Sequence, residues 1–328
     1  MGKIVASDFR PAWWLPGPHL QTQWPSFARR RSTPPLNKLR LELADGDFID
    51  LAVAGNGPKR VLVIHGLEGN LESHYAGSMV TALVDAGFQA IFMHLRGCSG
   101  EPNRLDRAYH SGASDDLAAV LEYLELNQGD PPAAAIGYSI GGNLLLKYLG
   151  ETEHARLQAA IAVSVPFVLR DAALRMNIGA SRIYRRYLID KLKLGYRTKF
   201  ASRPSPLWVD LNRIYDFFAF DERITAPLCG FDGVEDYYAR CSSRQFLRNI
   251  DTPTLILHAR DDPFMFTETI PTEGELGPGV TLELAEHGGH VGFVSGPCPW
   301  RPVYWLEGRI LRFLARIDVP TPLVTNHG

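Results

Sequence analysis

The sequence is poor in the features that mark specialised chains. Its four cysteines (Cys98, Cys229, Cys241 and Cys298) in 328 residues are too few and too far apart for a zinc ribbon or a disulfide scaffold, so free thiols in a reducing, cytoplasmic setting are expected. No apolar run is long enough to span a membrane, and the opening MGKIVASDFRPAWWLPG lacks a hydrophobic signal core. Charge excess is missing too. The 34 basic residues face 36 acidic ones, which gives nucleic acid no electrostatic footing as a partner. There is no internal repeat, no low-complexity tract, no Walker A loop and no G-x-G-x-x-G, so no nucleotide site is implied. His65, His74, His94 and His110 show neither H-x-x-x-H nor Cys-His spacing, and neither metal nor cofactor is expected. What remains, with 45% hydrophobic and 21% charged residues, is a globular composition with enough apolar mass for a sizeable core.

The pattern along the chain is that of an α/β protein. Residues 9–37, rich in Pro, Trp and Arg, lack periodicity and read as an irregular arm, so residues 1–38 are assigned to an arm lying on the core. LRLEL (39–43) and FIDLAV (48–53) flank Ala-Asp-Gly-Asp and alternate like an antiparallel hairpin. RVLVIH (60–65), QAIFMH (89–94), AAAIGY (133–138), AAIAVS (159–164), TLILHA (254–259) and VTLELA (280–285) are near-continuous apolar runs, the signature of strands covered on both faces. Helical patterns occupy 73–86, 114–127, 140–150 and 301–316. The expectation is a mostly parallel sheet of about eight strands, opened by an antiparallel hairpin and flanked by helices, with the core at 39–165 and 251–318. The stretch 166–250 is too long for a crossover and reads as a helical cap. Within it, 170–203 holds ten basic and two acidic residues; it is either a solvated helical face or a surface that attracts anionic lipid.

Three segments carry the chemistry. Gly137-Tyr138-Ser139-Ile140-Gly141 follows a strand and opens a helix, the setting of a nucleophile elbow that lifts a serine hydroxyl above the sheet edge. A serine needs an imidazole to take its proton and a carboxylate to hold that imidazole. Past the penultimate strand stands His258-Ala259-Arg260-Asp261-Asp262-Pro263, and past the last His287-Gly288-Gly289-His290. The order Ser, Asp, His, each beyond the C-terminal end of its own strand, is that of an α/β-hydrolase. Asp262 is favoured over Asp261, which is otherwise a turn former or outer acceptor. His290 is favoured over His287, because the paired glycines let the loop fold back. Oxyanion donors are expected at the amides of Ile140 and of Leu67, in the loop after RVLVIH. Glu68 is a candidate substrate contact, and Tyr138 is placed beside it in the site. His94-Leu95-Arg96-Gly97-Cys98-Ser99-Gly100 either lines the site or is a glycine loop with a surface arginine.

Beyond these motifs, Pro18-His19-Leu20-Gln21-Thr22 with Arg29-Arg30, HGLEGN, HLRGCSG, GYSIGGN, HARDDPF and GGHVGF occur in order between residues 18 and 293. Together they resemble the YheT-like branch of the α/β-hydrolase superfamily, related to eukaryotic abhydrolase-domain lipid esterases. The resemblance implies a carboxylic ester hydrolase acting on short- to medium-chain or glycerolipid-type acyl esters, with Ser139, Asp262 and His290 as its triad. The expected reaction runs through an acyl-enzyme without a cofactor, and the cap supplies an acyl pocket from residues such as Phe167, Leu169, Ile183 and Phe217. Acyl transfer to an alcohol by the same triad, and a binding protein that has lost turnover, are the alternatives.

Overall fold

The computed structural model describes residues 2–29 and 33–317. Arg30 of the quoted motif and residue 318, the expected end of the core, lie outside the described residues.

In chain order the elements are β1 (Lys3–Ala6), α1 (Pro18–Ala28), β2 (Asn37–Glu42), β3 (Phe48–Ala54), β4 (Arg60–Ile64), α2 (Ala76–Asp85), β5 (Gln89–Met93), α3 (Ser114–Gln128), β6 (Ala134–Tyr138), α4 (Ile140–Glu151) and β7 (Ala159–Val163). Between β7 and the next strand run α5 (Leu169–Arg175), α6 (Ser181–Lys199), α7 (Phe217–Phe220), a π-helical turn Asp221–Thr225, α8 (Ala226–Cys229) and α9 (Val234–Cys241). The chain closes with β8 (Thr254–Ala259), β9 (Val280–Ala285), β10 (Val294–Cys298), β11 (Arg301–Tyr304) and α10 (Trp305–Ile317).

Among the described residues nine strands form one sheet in the order β1-β9-β8-β7-β6-β4-β5-β3-β2. Only β3 opposes its neighbours, pairing antiparallel with β2 and β5; every other pairing in the sheet is parallel. The period of two in a strand divides each apolar run between the faces. Leu62 and Ile64 pack with Leu117, Leu121 and Leu145 of α3 and α4. Val61 and Val63 pack on the other face with Met79, Leu83 and Ile310 of α2 and α10. Successive connections from β4 leave it on opposite sides, to β5 and then back to β6. The crevice that this reversal opens at the C-terminal strand ends is where ligands bind in such sheets.

Two expectations are corrected. The arm is not irregular throughout: Lys3–Ala6 add an edge strand parallel to β9, and Pro18–Ala28 form a helix. Its buried residues are Gln21, Thr22 and Pro25, so no apolar stripe announces it. The first four residues of the 301–316 helical pattern form β11 in a two-stranded hairpin with β10, and the helix begins at Trp305.

A Cβ at Gly137 would lie 2.4 Å from the carbonyl oxygen of Gly141, whereas one at the exposed Gly308 in α10 meets nothing within 4 Å. Gly137→Ala is therefore expected to lower the unfolding free energy by about 2–3 kcal/mol. Gly308→Ala is expected to raise it by about 0.5–1 kcal/mol. Urea denaturation checks both, and equal midpoints for the two variants contradict the packing described.

Candidate active site

At the end of β6 the chain reverses in one residue. Ser139 has φ 53° and ψ −119°, a left-handed conformation that a non-glycine residue adopts only at a cost. Its amide donates to the Val163 carbonyl at 2.8 Å and its carbonyl accepts from Asn143 at 3.0 Å, locking the turn between β7 and α4. The loop after β4 abuts this turn: a Cβ at Gly66 would lie 3.2 Å from Cβ of Ser139. Gly66 donates to the Tyr75 hydroxyl at 2.8 Å, and Gly69 donates to the Gly66 carbonyl at 3.0 Å. Among the described residues the Leu67 amide has no hydrogen-bond acceptor. The Ile140 amide, first in α4, has no carbonyl one turn behind it to accept its proton. Leu67, Ile140 and Ser139 all face the same cavity.

The His290 loop is held from three sides. Asp261 Oδ1 accepts from the amides of Gly288 and Gly289 at 2.9 and 3.0 Å. Thr22 Oγ1 accepts from the His290 amide at 2.9 Å, and Ser164 Oγ accepts from the Val291 amide at 3.0 Å. Gln21 uses both ends of its amide on the backbone of Val294. These bonds sustain positive φ at Val291 and Phe293. The imidazole then stacks on Phe264 with centroids 4.0 Å apart and 11° between planes.

So placed, His290 joins the other two side chains. Nδ1 lies 2.8 Å from Asp262 Oδ2, and Nε2 lies 3.1 Å from Ser139 Oγ. An ionised carboxylate only accepts, so Nδ1 carries the proton in neutral His290 and Nε2 offers a lone pair to the serine hydroxyl. Asp262 and His290 are buried, and the other carboxylate oxygen of Asp262 accepts from the Phe264 amide at 2.9 Å. Asp261 and exposed His287 pair with each other outside this chain of bonds.

The cavity in front of Ser139 has a volume of about 430 Å³. Its apolar walls include Leu169, Met176, Leu188, Phe217 and Phe220. Its polar side includes Glu68, Tyr109 and Lys199. The Tyr109 hydroxyl accepts from the Glu68 amide at 3.0 Å and donates to Glu68 Oε1 at 2.7 Å, and burial pushes the Glu68 carboxyl above its usual range.

Not every expected residue reaches the cavity. Tyr138 is fully buried behind the elbow, stacked on Tyr75 at 4.2 Å, because the strand alternation that raises Ser139 turns its neighbour into the core. Phe167 is also fully buried, against His258. Ile183 lies on the outer face of α6, 70% exposed. Arg96 is not a surface arginine: it is buried, bidentate to Asp116 and bonded to Asp47 and Asp45. Sequence reasoning missed Thr22, Gln21, Ser164 and Phe264 as supports of the imidazole; the Pro18–Thr22 motif was the one signal pointing to the first two.

The α/β-hydrolase fold model matches residues 59–297, a span that carries all three hydrogen-bonded side chains. The chain belongs to the α/β-hydrolase family. Within it, the chain falls in the YheT-like branch: it is 43% identical over 314 residues to the Escherichia coli (strain K12) protein "Putative esterase YheT", covering 93% of this chain and 92% of that one. It is 28% identical to phospholipase ABHD3 of Mus musculus, covering 92% and 77% of the two chains. It is 27% identical to the monoacylglycerol lipase of Saccharomyces cerevisiae, covering 77% and 58%. Among solved structures, the Pyrococcus furiosus esterase Pf2001 superposes with a TM-score of 0.55 at 14% identity, covering 96% of this chain and 99% of that one, which is a likeness of fold. Among the described residues no helix of this α/β-hydrolase is long and apolar enough to cross a membrane.

Lys199 gives the site a measurable pH signature. Burial lowers its ammonium to about 8, while the unfolded chain keeps that proton to about 10.4. Between these values the unfolded state binds more protons, so stability rises with pH there. Discounted for partial exposure, the wild type should gain about 1–2 kcal/mol on Lys199→Met between pH 8 and 10. Denaturant titrations of both chains at the two pH values measure the difference, and a constant gap contradicts a perturbed ammonium.

Proposed function

We propose that the protein is a serine carboxylesterase that hydrolyses short- to medium-chain acyl esters, glycerolipid-type esters included, through an acyl-enzyme. The observation that carries this reading is the continuous hydrogen-bonded chain from Asp262 through His290 to Ser139, whose serine lines a largely apolar cavity. The esterase, phospholipase and monoacylglycerol lipase names of the relatives support the coarser reading, an esterase/lipase-type hydrolase.

In the proposed mechanism Ser139 Oγ attacks the ester carbonyl as His290 Nε2 takes its proton. The oxygen that gains charge is received by the amides of Leu67 and Ile140. Asp262 stays ionised, fixes the imidazole tautomer and stabilises the imidazolium. Collapse breaks the C–O bond, and His290 returns the proton to the departing alcohol. Water, deprotonated by His290, then attacks the acyl-enzyme; the acid leaves and Ser139 regains its proton. Phe217 belongs to the apolar wall that takes the acyl chain, and Glu68, oriented by Tyr109, accepts a hydrogen bond from a hydroxyl of the alcohol portion. Four unpaired cysteines fit a reducing compartment such as the cytoplasm.

Ser139→Ala and His290→Ala should each lower kcat on p-nitrophenyl butyrate by about 10³-fold or more. A fluorophosphonate should label the wild type and spare Ser139→Ala. Across an acyl series, kcat/KM should be higher for butyrate to octanoate esters than for palmitate. Full turnover by Ser139→Ala overturns the mechanism; a palmitate optimum overturns the chain-length assignment.

A further inference from the structure

Helix α6 has two apolar faces where one is enough to hold it in place. Its inner face lines the cavity through Leu188, Leu192, Gly195 and Lys199. At 100° per residue, Ile183, Tyr187 and Leu194 fall together on the opposite side, where they are 70%, 59% and 61% exposed. Tyr215, 69% exposed, extends this stripe, since Lys193 Nζ lies 5.7 Å from its ring centroid. Leu194 also lines the cavity, so the stripe runs to the cavity rim.

The stripe is flanked mainly by basic side chains, with exposed Asp190 as the one acid beside it. The helix carries seven basic residues and a single acidic one, Asp190. Elsewhere in the basic segment Arg170 pairs with Glu235 and Arg203 with Asp106. Among the described residues Arg182, Arg186, Lys193 and Arg197 have no carboxylate within ion-pair distance. Long basic side chains beside an exposed apolar stripe suit a surface that is apolar below and anionic above, since the stems lie along hydrocarbon while the charges reach phosphate.

We propose that the outer face of α6 docks the protein on an anionic lipid bilayer, with Ile183, Tyr187 and Leu194 entering the acyl boundary and Arg182, Arg186, Lys193 and Arg197 meeting the phosphates. The occupant is chosen by charge complementarity: each base near such a surface strengthens binding about fivefold. This holds whether or not Ser139 is the nucleophile, because it concerns only where the protein sits.

The test is co-sedimentation of the full chain with vesicles of phosphatidylcholine, with and without phosphatidylglycerol, at low and high salt. Binding is expected with the anionic vesicles, falling as salt rises. Arg186→Gln with Arg197→Gln should weaken it about 25-fold, and Ile183→Ser with Tyr187→Ser about tenfold. Neither pair lines the cavity, so both variants should keep wild-type turnover of a soluble ester and wild-type circular dichroism. Equal binding to neutral and anionic vesicles, no binding to either, or binding untouched by both pairs overturns the proposal. So does retention on an acidic polypeptide without vesicle binding, which would assign the face to a protein partner.

Discussion

Where β4, β6 and α4 converge, backbone packs directly on backbone. A Cβ at Gly141 would sit 2.5 Å from the His65 carbonyl oxygen, and one at Gly137 would sit 2.4 Å from that of Gly141. No side chain fits between these segments, so strand end, turn and helix start occupy one arrangement. That arrangement forces the reversal at Ser139 and brings the free amide of Leu67 to the same side as its hydroxyl. The left-handed backbone at Ser139 is stable because its neighbours leave no alternative, as residues held in strain by an over-determined surrounding generally are.

The imidazole is placed differently, by polar groups instead of close packing. Its loop carries two more non-glycine residues at positive φ, Val291 and Phe293, and such strain must be offset by bonds from outside the loop. Three separated parts of the chain supply them: Thr22 and Gln21 from α1, Ser164 beyond β7, and Asp261 beyond β8. The two adjacent aspartates therefore divide the work. Asp261 fixes the backbone of the glycine pair while Asp262 fixes the ring, and each needs the other to bring the imidazole within 3.1 Å of the hydroxyl.

What was legible in the sequence follows from which forces leave a pattern. The inner strands are apolar on both faces because helices cover both, so RVLVIH and TLILHA could be read at once. Ser139, Asp262 and His290 were legible because each stands just past such a strand. Helix α1 was not legible, since it turns Gln21 and Thr22 inward to serve a loop about 270 residues away, and hydrophobic periodicity carries no trace of a buried polar contact. Tyr138 and Phe167 were misplaced for a related reason: an aromatic residue near a motif can face the site or the core, and one-residue alternation decides which. Arg96 looked like a surface charge because its partners, Asp45, Asp47 and Asp116, come from separate segments.

That buried charge cluster also bears on how the cavity keeps its shape. Taking a guanidinium out of water is unfavourable unless its donors are filled, and Arg96 fills them with three carboxylates. Asp47 in turn accepts from Asn103, and Asn103 accepts from Lys199 in the last turn of α6. The first turn of the same helix is tied to α1, where His19 Nδ1 lies 3.1 Å from the Tyr184 hydroxyl. Moving either end of α6 would strand a buried polar group. The helix is thus fastened at both ends to the elements that position the candidate site, Lys199 to the network beneath the loop after β5 and Tyr184 to the helix that holds His290. The length between these anchors is fixed in orientation, which keeps Leu188 and Leu192 on the wall of the cavity that Ser139 also lines and commits Ile183 and Tyr187 to the outside.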